Sequence, residues 1–109
     1  MRKIVAILGT YRKGGMTDQV VDALIEGTSG QAEVEKVYLV DQQISYCTNC
    51  RTCTQIPGEK RGDCPIEDDM PGIFDLIEAA DAIVFASPTN FFNTTAVFRT
   101  FMERAVCYA

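Results

Sequence analysis

RKIVAILGTYRKGGMTDQVVDAL, running from Arg2 to Leu24, reads as a strand, a loop and a helix in that order. Ile4 to Leu8 is a short apolar run with β-branched residues, the pattern of a strand covered on both faces. Gly9 ends it, and a polar loop follows: Thr10, Tyr11, Arg12, Lys13, Gly14, Gly15. After Met16, Thr17 opens a stretch in which Val20, Val21, Leu24 and Ile25 recur at helical spacing. A strand that turns sharply into a helix leaves backbone N–H groups free at the helix start. The helix dipole adds partial positive charge there, so the position suits a phosphate. Arg12, Lys13 and the hydroxyls of Thr10 and Thr17 add to that preference. Two familiar spacings do not fit. Gly15 stands where a P-loop needs lysine, and Tyr11 occupies the second glycine position of the dinucleotide fingerprint. The loop is therefore a phosphate cradle of another kind, or a plain connection shaped by its glycines.

Outward from this unit, Gly27 and Gly30 stop the helix, and AEVEKVYLV (Ala32 to Val40) alternates as an edge or half-exposed strand does. Two strands joined by a helix predict a right-handed parallel βαβ unit. From Asp41 to Asp69 no periodicity is present, and so long a loop is functional or disordered. Asp68 and Asp69 are capping candidates for a helix with Pro71 at its first position, and Ile73, Phe74, Ile77 and Ala80 form its buried face. AIVFAS (Ala82 to Ser87) predicts a third strand, ended by Pro88. Thr94 to Tyr108 predicts a last helix capped by Thr94 or Thr95, with Glu103 and Arg104 as a surface or interface pair. The order β-α-β-loop-α-β-α is that of an α/β fold with a parallel sheet. Three strands, where a doubly wound sheet usually has five, predict an incomplete domain, the alternative being a partner chain that completes the buried surface.

With 109 residues the chain is at most one domain, and its net charge of −5 argues against nucleic acid as a main partner. No apolar run approaches the roughly 18–20 residues that span a bilayer. The start, MRKIVAIL, is too short for a signal peptide, which predicts a cytoplasmic location with reduced cysteines. There is no histidine, so no Ser-His or Cys-His triad operates. There are five cysteines. Cys47, Cys50 and Cys53 form C-x-x-C-x-x-C, with Cys64 beyond, an arrangement able to wrap an iron–sulfur cubane. Free redox thiols and a Cys₄ zinc site are the alternatives, although structural zinc usually takes two separated pairs. Cys107 reads as a small buried hydrophobe.

GTYRKGGMTD, VEKVYLVD, CTNCRTC followed by GDCPIEDDM, ADAIVFASPTNF and TAVFRTFMER together resemble the NADPH-dependent FMN reductase and iron–sulfur flavoprotein family. The resemblance runs from about Lys3 to Arg104, in order. It implies a flavodoxin-like, doubly wound parallel sheet with FMN at the carboxyl ends of the strands. Thr10, Arg12, Lys13, Gly15, Met16 and Thr17 would hold the FMN phosphate. Pro88, Thr89, Asn90, Phe91, Phe92 and Asn93 would lie along the isoalloxazine ring. The family usually has Ser at position 10 and Asn or Ser at position 16, so Met16 forgoes one polar contact. Many members have tyrosine at position 90. Stacking here would pass to Phe91 or Phe92, or leave one ring face open.

Iron–sulfur flavoproteins carry such a cysteine run in this loop, which makes Cys47, Cys50, Cys53 and Cys64 candidate [4Fe–4S] ligands. Other members keep the cysteines without a cluster. The implied function is an FMN-dependent oxidoreductase passing electrons from NAD(P)H through flavin to an acceptor. No catalytic side chain is required, because the cofactor carries the chemistry. The alternatives are a flavodoxin-like electron carrier serving ferredoxin-type proteins, and a thiol or metal sensor without flavin. Family members are longer and commonly self-associate. The sequence is therefore expected to be an amino-terminal portion: one FMN-binding domain over 1–109 with a cysteine-rich loop at about 42–68, in a homo-oligomer.

Overall fold

The computed structural model describes residues 2–55, 61–62 and 64–108. Three strands, β1 (Arg2–Leu8), β2 (Ala32–Tyr38) and β3 (Ala82–Ala86), form one parallel sheet in the order β2-β1-β3. The central strand is the apolar run seen first in the sequence. Val5, Ala6, Ile7 and Leu8 are completely buried, because β1 has a strand on each side and helices on both faces. Helix α1 (Met16–Gly27) covers one face, where Val21 and Ile25 meet Ala6, Leu8 and Val84. Helices α2 (Met70–Ala79) and α3 (Ala96–Arg104) cover the other, packing Met70, Ile73, Phe74, Phe98 and Phe101 onto Val5, Ile7 and Val37. The chain is doubly wound.

Several boundaries differ from the sequence reading, each for a local reason. β2 ends at Tyr38 because Leu39–Asp41 curls into a 3₁₀ turn that buries Leu39 under the α2/α3 layer. Met70, not Pro71, is the first residue of α2, and its N–H donates to Asp68 Oδ1 at 3.0 Å. Thr95 is the cap of α3, accepting from Phe98 N at 3.3 Å, and the helix tightens into 3₁₀ over Ala105–Tyr108. β3 lies at the sheet edge, so its apolar run is not buried on both faces; Phe85 is 54% exposed.

One staple fixes the carboxyl ends of β1 and β3 against α3. Thr95 Oγ1 donates to Gly9 O at 2.6 Å, Thr95 N donates to Ser87 Oγ at 3.2 Å, and Gly9 N donates to Ala86 O at 2.8 Å. Gly9 allows this approach: a Cβ there would lie 2.7 Å from Phe98 Cβ.

Candidate functional site

Two loops meet at the carboxyl ends of β1 and β3. Thr10, Tyr11, Arg12, Gly15, Met16 and Thr17 from the first, and Pro88, Thr89, Asn90 and Thr95 from the second, line a cleft of about 260 Å³. β1 leads to β2 on one side and β3 lies on the other, so the cleft sits where the winding reverses, the usual ligand position in open parallel sheets. Its floor is the start of α1. Gln19 N donates the first intrahelical bond, to Gly15 O at 2.9 Å, so the N–H groups of the preceding turn face outward from the helix end.

The first loop is held by its own polar groups. Thr10 Oγ1 accepts from Arg12 N and donates to Arg12 O, both at 3.1 Å. Gly14 turns at φ 79°, and its N–H donates to Asp18 Oδ2 at 2.7 Å. Asp18, a buried carboxylate, also accepts from Tyr38 OH at 2.9 Å and from Lys36 Nζ. The Lys36 bond and the Gly14 N–H hold the Asp18 carboxyl below the usual carboxylate range, outweighing burial. Burial opposes the charge of Lys36, yet Asp18, Asp22 and Tyr38 together hold its amine above the usual range. α1 and β2 thus brace the loop from behind.

Of the residues expected to bind FMN, Thr10, Arg12, Gly15, Met16, Thr17, Pro88, Thr89 and Asn90 line this cleft. Lys13 does not. Its amine pairs with Asp41 and lies 5.1 Å above the Tyr38 ring. Phe91, Phe92 and Asn93 stand at the rim on a tight turn, in which Asn90 N donates to Asn93 O at 2.6 Å and Asn93 N to Asn90 O at 3.1 Å. The two rings are 89% and 93% exposed, 5.5 Å apart. Tyr11 and Thr95 were not foreseen as lining residues. The Tyr11 hydroxyl accepts from Val97 N at 3.2 Å, a tie between loop and helix that only the tertiary structure reveals.

Cys47, Cys50, Cys53 and Cys64 line a second cavity, together with Asn49, Arg51, Ile66, Arg104 and Val106. The segment reverses direction through positive φ at Asn49 (59°) and Arg51 (63°), on either side of Cys50. Asn49 N donates to Cys47 Sγ at 3.4 Å. Gly62 lies against Cys53, with no room there for a Cβ, and Gly62 N donates to Cys107 O at 2.8 Å. In donor type the site suits a thiolate-ligated cluster, since four thiols line one cavity and a backbone N–H meets one sulfur, but the thiols are not gathered into a ligand set. Among the described residues, no three His, Cys, Asp or Glu side chains form a group able to hold a metal ion. Hydrogen bonds from Thr52 lower the exposed Cys50 thiol, whereas burial raises Cys53 and Cys107. Cys107 is a buried core residue, as its helical position predicted.

Arg104 corrects the sequence reading. It is 3% exposed, not on the surface, because Asp68 meets it with both oxygens at 2.5 and 3.2 Å. Its Nε is buried without a hydrogen-bond partner among the described residues, an arrangement costing about 1–3 kcal/mol. Glu103 is half-exposed, 4.0 Å from Arg99.

The 2-1-3 strand order, the double winding and the cleft at the switch point define a flavodoxin-like α/β fold. The chain belongs to the NADPH-dependent FMN reductase family, which it matches over residues 2–109. It is 38% identical over 107 residues to an iron–sulfur flavoprotein of Archaeoglobus fulgidus, covering 97% of this chain and 46% of that one. It is 29% identical over 105 residues to an iron–sulfur flavoprotein of Methanosarcina thermophila, covering 95% and 52%. The chain spans about half the length of these curated relatives. Among solved structures, RosB with bound 8-demethyl-8-formylriboflavin-5'-phosphate superposes with a TM-score of 0.66 at 20% identity, over 95% of this chain and 42% of RosB. That likeness is one of fold. Among the described residues, no helix is long and apolar enough to cross a membrane.

Proposed function

We propose that this chain carries the FMN site of an oxidoreductase that takes electrons from NAD(P)H and delivers them to a second acceptor. The observation supporting it is the convergence of the two loops on one cleft at the switch point. Bound FMN would supply hydride acceptance and one-electron transfer. The outward N–H groups at the start of α1, the Thr17 hydroxyl and the Arg12 guanidinium would hold its phosphate. Lys13 would join them only by leaving Asp41. Thr89 N–H would meet the polar edge of the ring, since Asn90 N–H is engaged by Asn93. Phe91 and Phe92 would stack at its outer face. Cys47, Cys50, Cys53 and Cys64 would hold a [4Fe–4S] cluster, a one-electron relay that would suit delivery to ferredoxin-type partners.

The test is anaerobic mixing of the FMN-loaded full chain with NADPH, following flavin bleaching at 450 nm. Bleaching within seconds is the expected result. No bleaching by NADPH or NADH, with reduction by a ferredoxin-type protein, would instead assign an electron carrier. Arg12→Ala is expected to weaken FMN binding about tenfold, read by quenching of flavin fluorescence.

A further inference from the structure

The cysteine-rich loop is closed at its neck. Gln43 N donates to Asp69 Oδ2 at 2.6 Å and Asp69 N to Gln43 O at 2.9 Å. One step inward, Ser45 N donates to Asp68 Oδ2 at 2.9 Å. Ser45 and Asp68 thus flank the segment that carries Cys47, Cys50, Cys53 and Cys64. Both are gripped from below by one side chain of α3. Arg104 donates through a single nitrogen, Nη1, to Ser45 O at 2.9 Å and Asp68 Oδ2 at 2.5 Å, and through Nη2 to Asp68 Oδ1 at 3.2 Å.

The pair is oriented. Arg104 is part of the wall of the cysteine cavity and Asp68 is not. Arg104 therefore reaches the cysteine cavity, while its counter-ion is bonded at the neck to Ser45 N. One guanidinium donor, Nε, is buried and has no partner among the described residues. A group ligated by four thiolates carries net negative charge, which a neighbouring buried cation and a free N–H both favour.

We propose that Arg104 is the positioning residue of the cysteine site. It clasps the two ends of the loop through Ser45 and Asp68 and presents its charge to an anionic thiolate-bound metal group. This rests on the four cysteines acting as ligands, as proposed above, though not on the metal being iron. Lysine would not replace it, since a single ammonium cannot meet both Asp68 oxygens and Ser45 O in the planar arrangement of the fork.

The test compares the full-length wild type with Arg104→Lys, Arg104→Met and Asp68→Asn. Each is reconstituted anaerobically with ferrous iron and sulfide, and separately titrated, reduced and metal-free, with Cd²⁺ alone, followed by thiolate–cadmium absorbance. Thermal unfolding of the metal-free forms and FMN binding serve as fold controls. In variants that pass the controls, at least a fivefold loss of iron occupancy and of Cd²⁺ affinity is expected. Any cluster assembled in Arg104→Met, which removes the cation, should have a more negative midpoint potential than wild type. Should Arg104→Met fail to fold, Arg104→Lys and Asp68→Asn carry the comparison. Wild-type iron occupancy, potential and Cd²⁺ affinity in the folded variants would overturn the proposal. A wild type that binds Cd²⁺ but assembles no cluster would sink the iron–sulfur reading alone, with the clasp still judged by Cd²⁺ affinity across the variants. Failure of the wild type to bind either would overturn both.

Discussion

Phe91 and Phe92 hold φ at 47° and 69°, the left-handed region, in a two-residue turn where Asn-Gly is the usual choice. Such a conformation costs about 1–3 kcal/mol for a non-glycine residue. Phe92→Gly is therefore expected to stabilise the ligand-free protein by about 1 kcal/mol, read by urea unfolding, since the ring has almost no contact to lose. Cysteine reactivity is a second test at this scale. In the metal-free reduced protein, Cys50, exposed and with its thiol lowered by Thr52, should be alkylated first, and buried Cys107 last, as mapped by mass spectrometry. Thr10, Arg12, Thr17 and the four cysteines line the two cavities, each in a loop anchored by a strand or helix whose period is plain in the sequence. The sequence could not place Arg104. An arginine in the last turn of an amphipathic helix reads as solvated unless its partner is known, and Asp68 lies 36 residues away.

Among the elements, the shape of the cleft depends on how closely α3 is drawn to the ends of β1 and β3. Thr95→Ala removes both the α3 cap and the bond to Gly9 O, and should cost about 2 kcal/mol in chemical unfolding. Gly9→Ala should cost about 1–3 kcal/mol, because its methyl would collide with Phe98 Cβ unless α3 moves. Both changes should also loosen the cleft. β1, α1 and α2 were legible from period, although in α1 Val21 is buried while Val20 and Leu24, which share its helical spacing, are exposed. The end of β2 was not. Val37 and Leu39 continue the strand pattern, but Leu39 is buried from within a 3₁₀ turn, which alternation cannot distinguish from a strand. The neck of the cysteine loop was equally hidden, because it is made by backbone and carboxylate pairs rather than by a periodic pattern.

For the whole molecule, two buried ion pairs set the pH range of stability: Asp18 with Lys36, and Asp68 with Arg104. The folded state lowers both carboxyls. For Asp68, burial works against the charge but the bonds from Arg104, Ser45 N and Met70 N prevail. Their contribution is complete above the unfolded carboxyl value of about 3.9 and is lost as pH falls through the folded values. Lys36 is raised, so its contribution is complete below about 10.4 and is lost as pH rises through its folded value. The melting temperature should be flat between about pH 5 and pH 8 and fall on both sides, the part-buried Cys53 and buried Cys107 thiols adding to the alkaline fall. Asp18→Asn should lower stability by about 2–3 kcal/mol at pH 7, the difference shrinking as pH falls through the folded value of Asp18. The central claim, that the loops after β1 and β3 form one flavin cleft, is tested most directly by titrating the ¹⁵N-labelled chain with FMN and following its amide resonances. Saturable shifts concentrated in residues 10–18 and 88–95 are expected. Shifts centred elsewhere, or none at millimolar FMN, would contradict the claim.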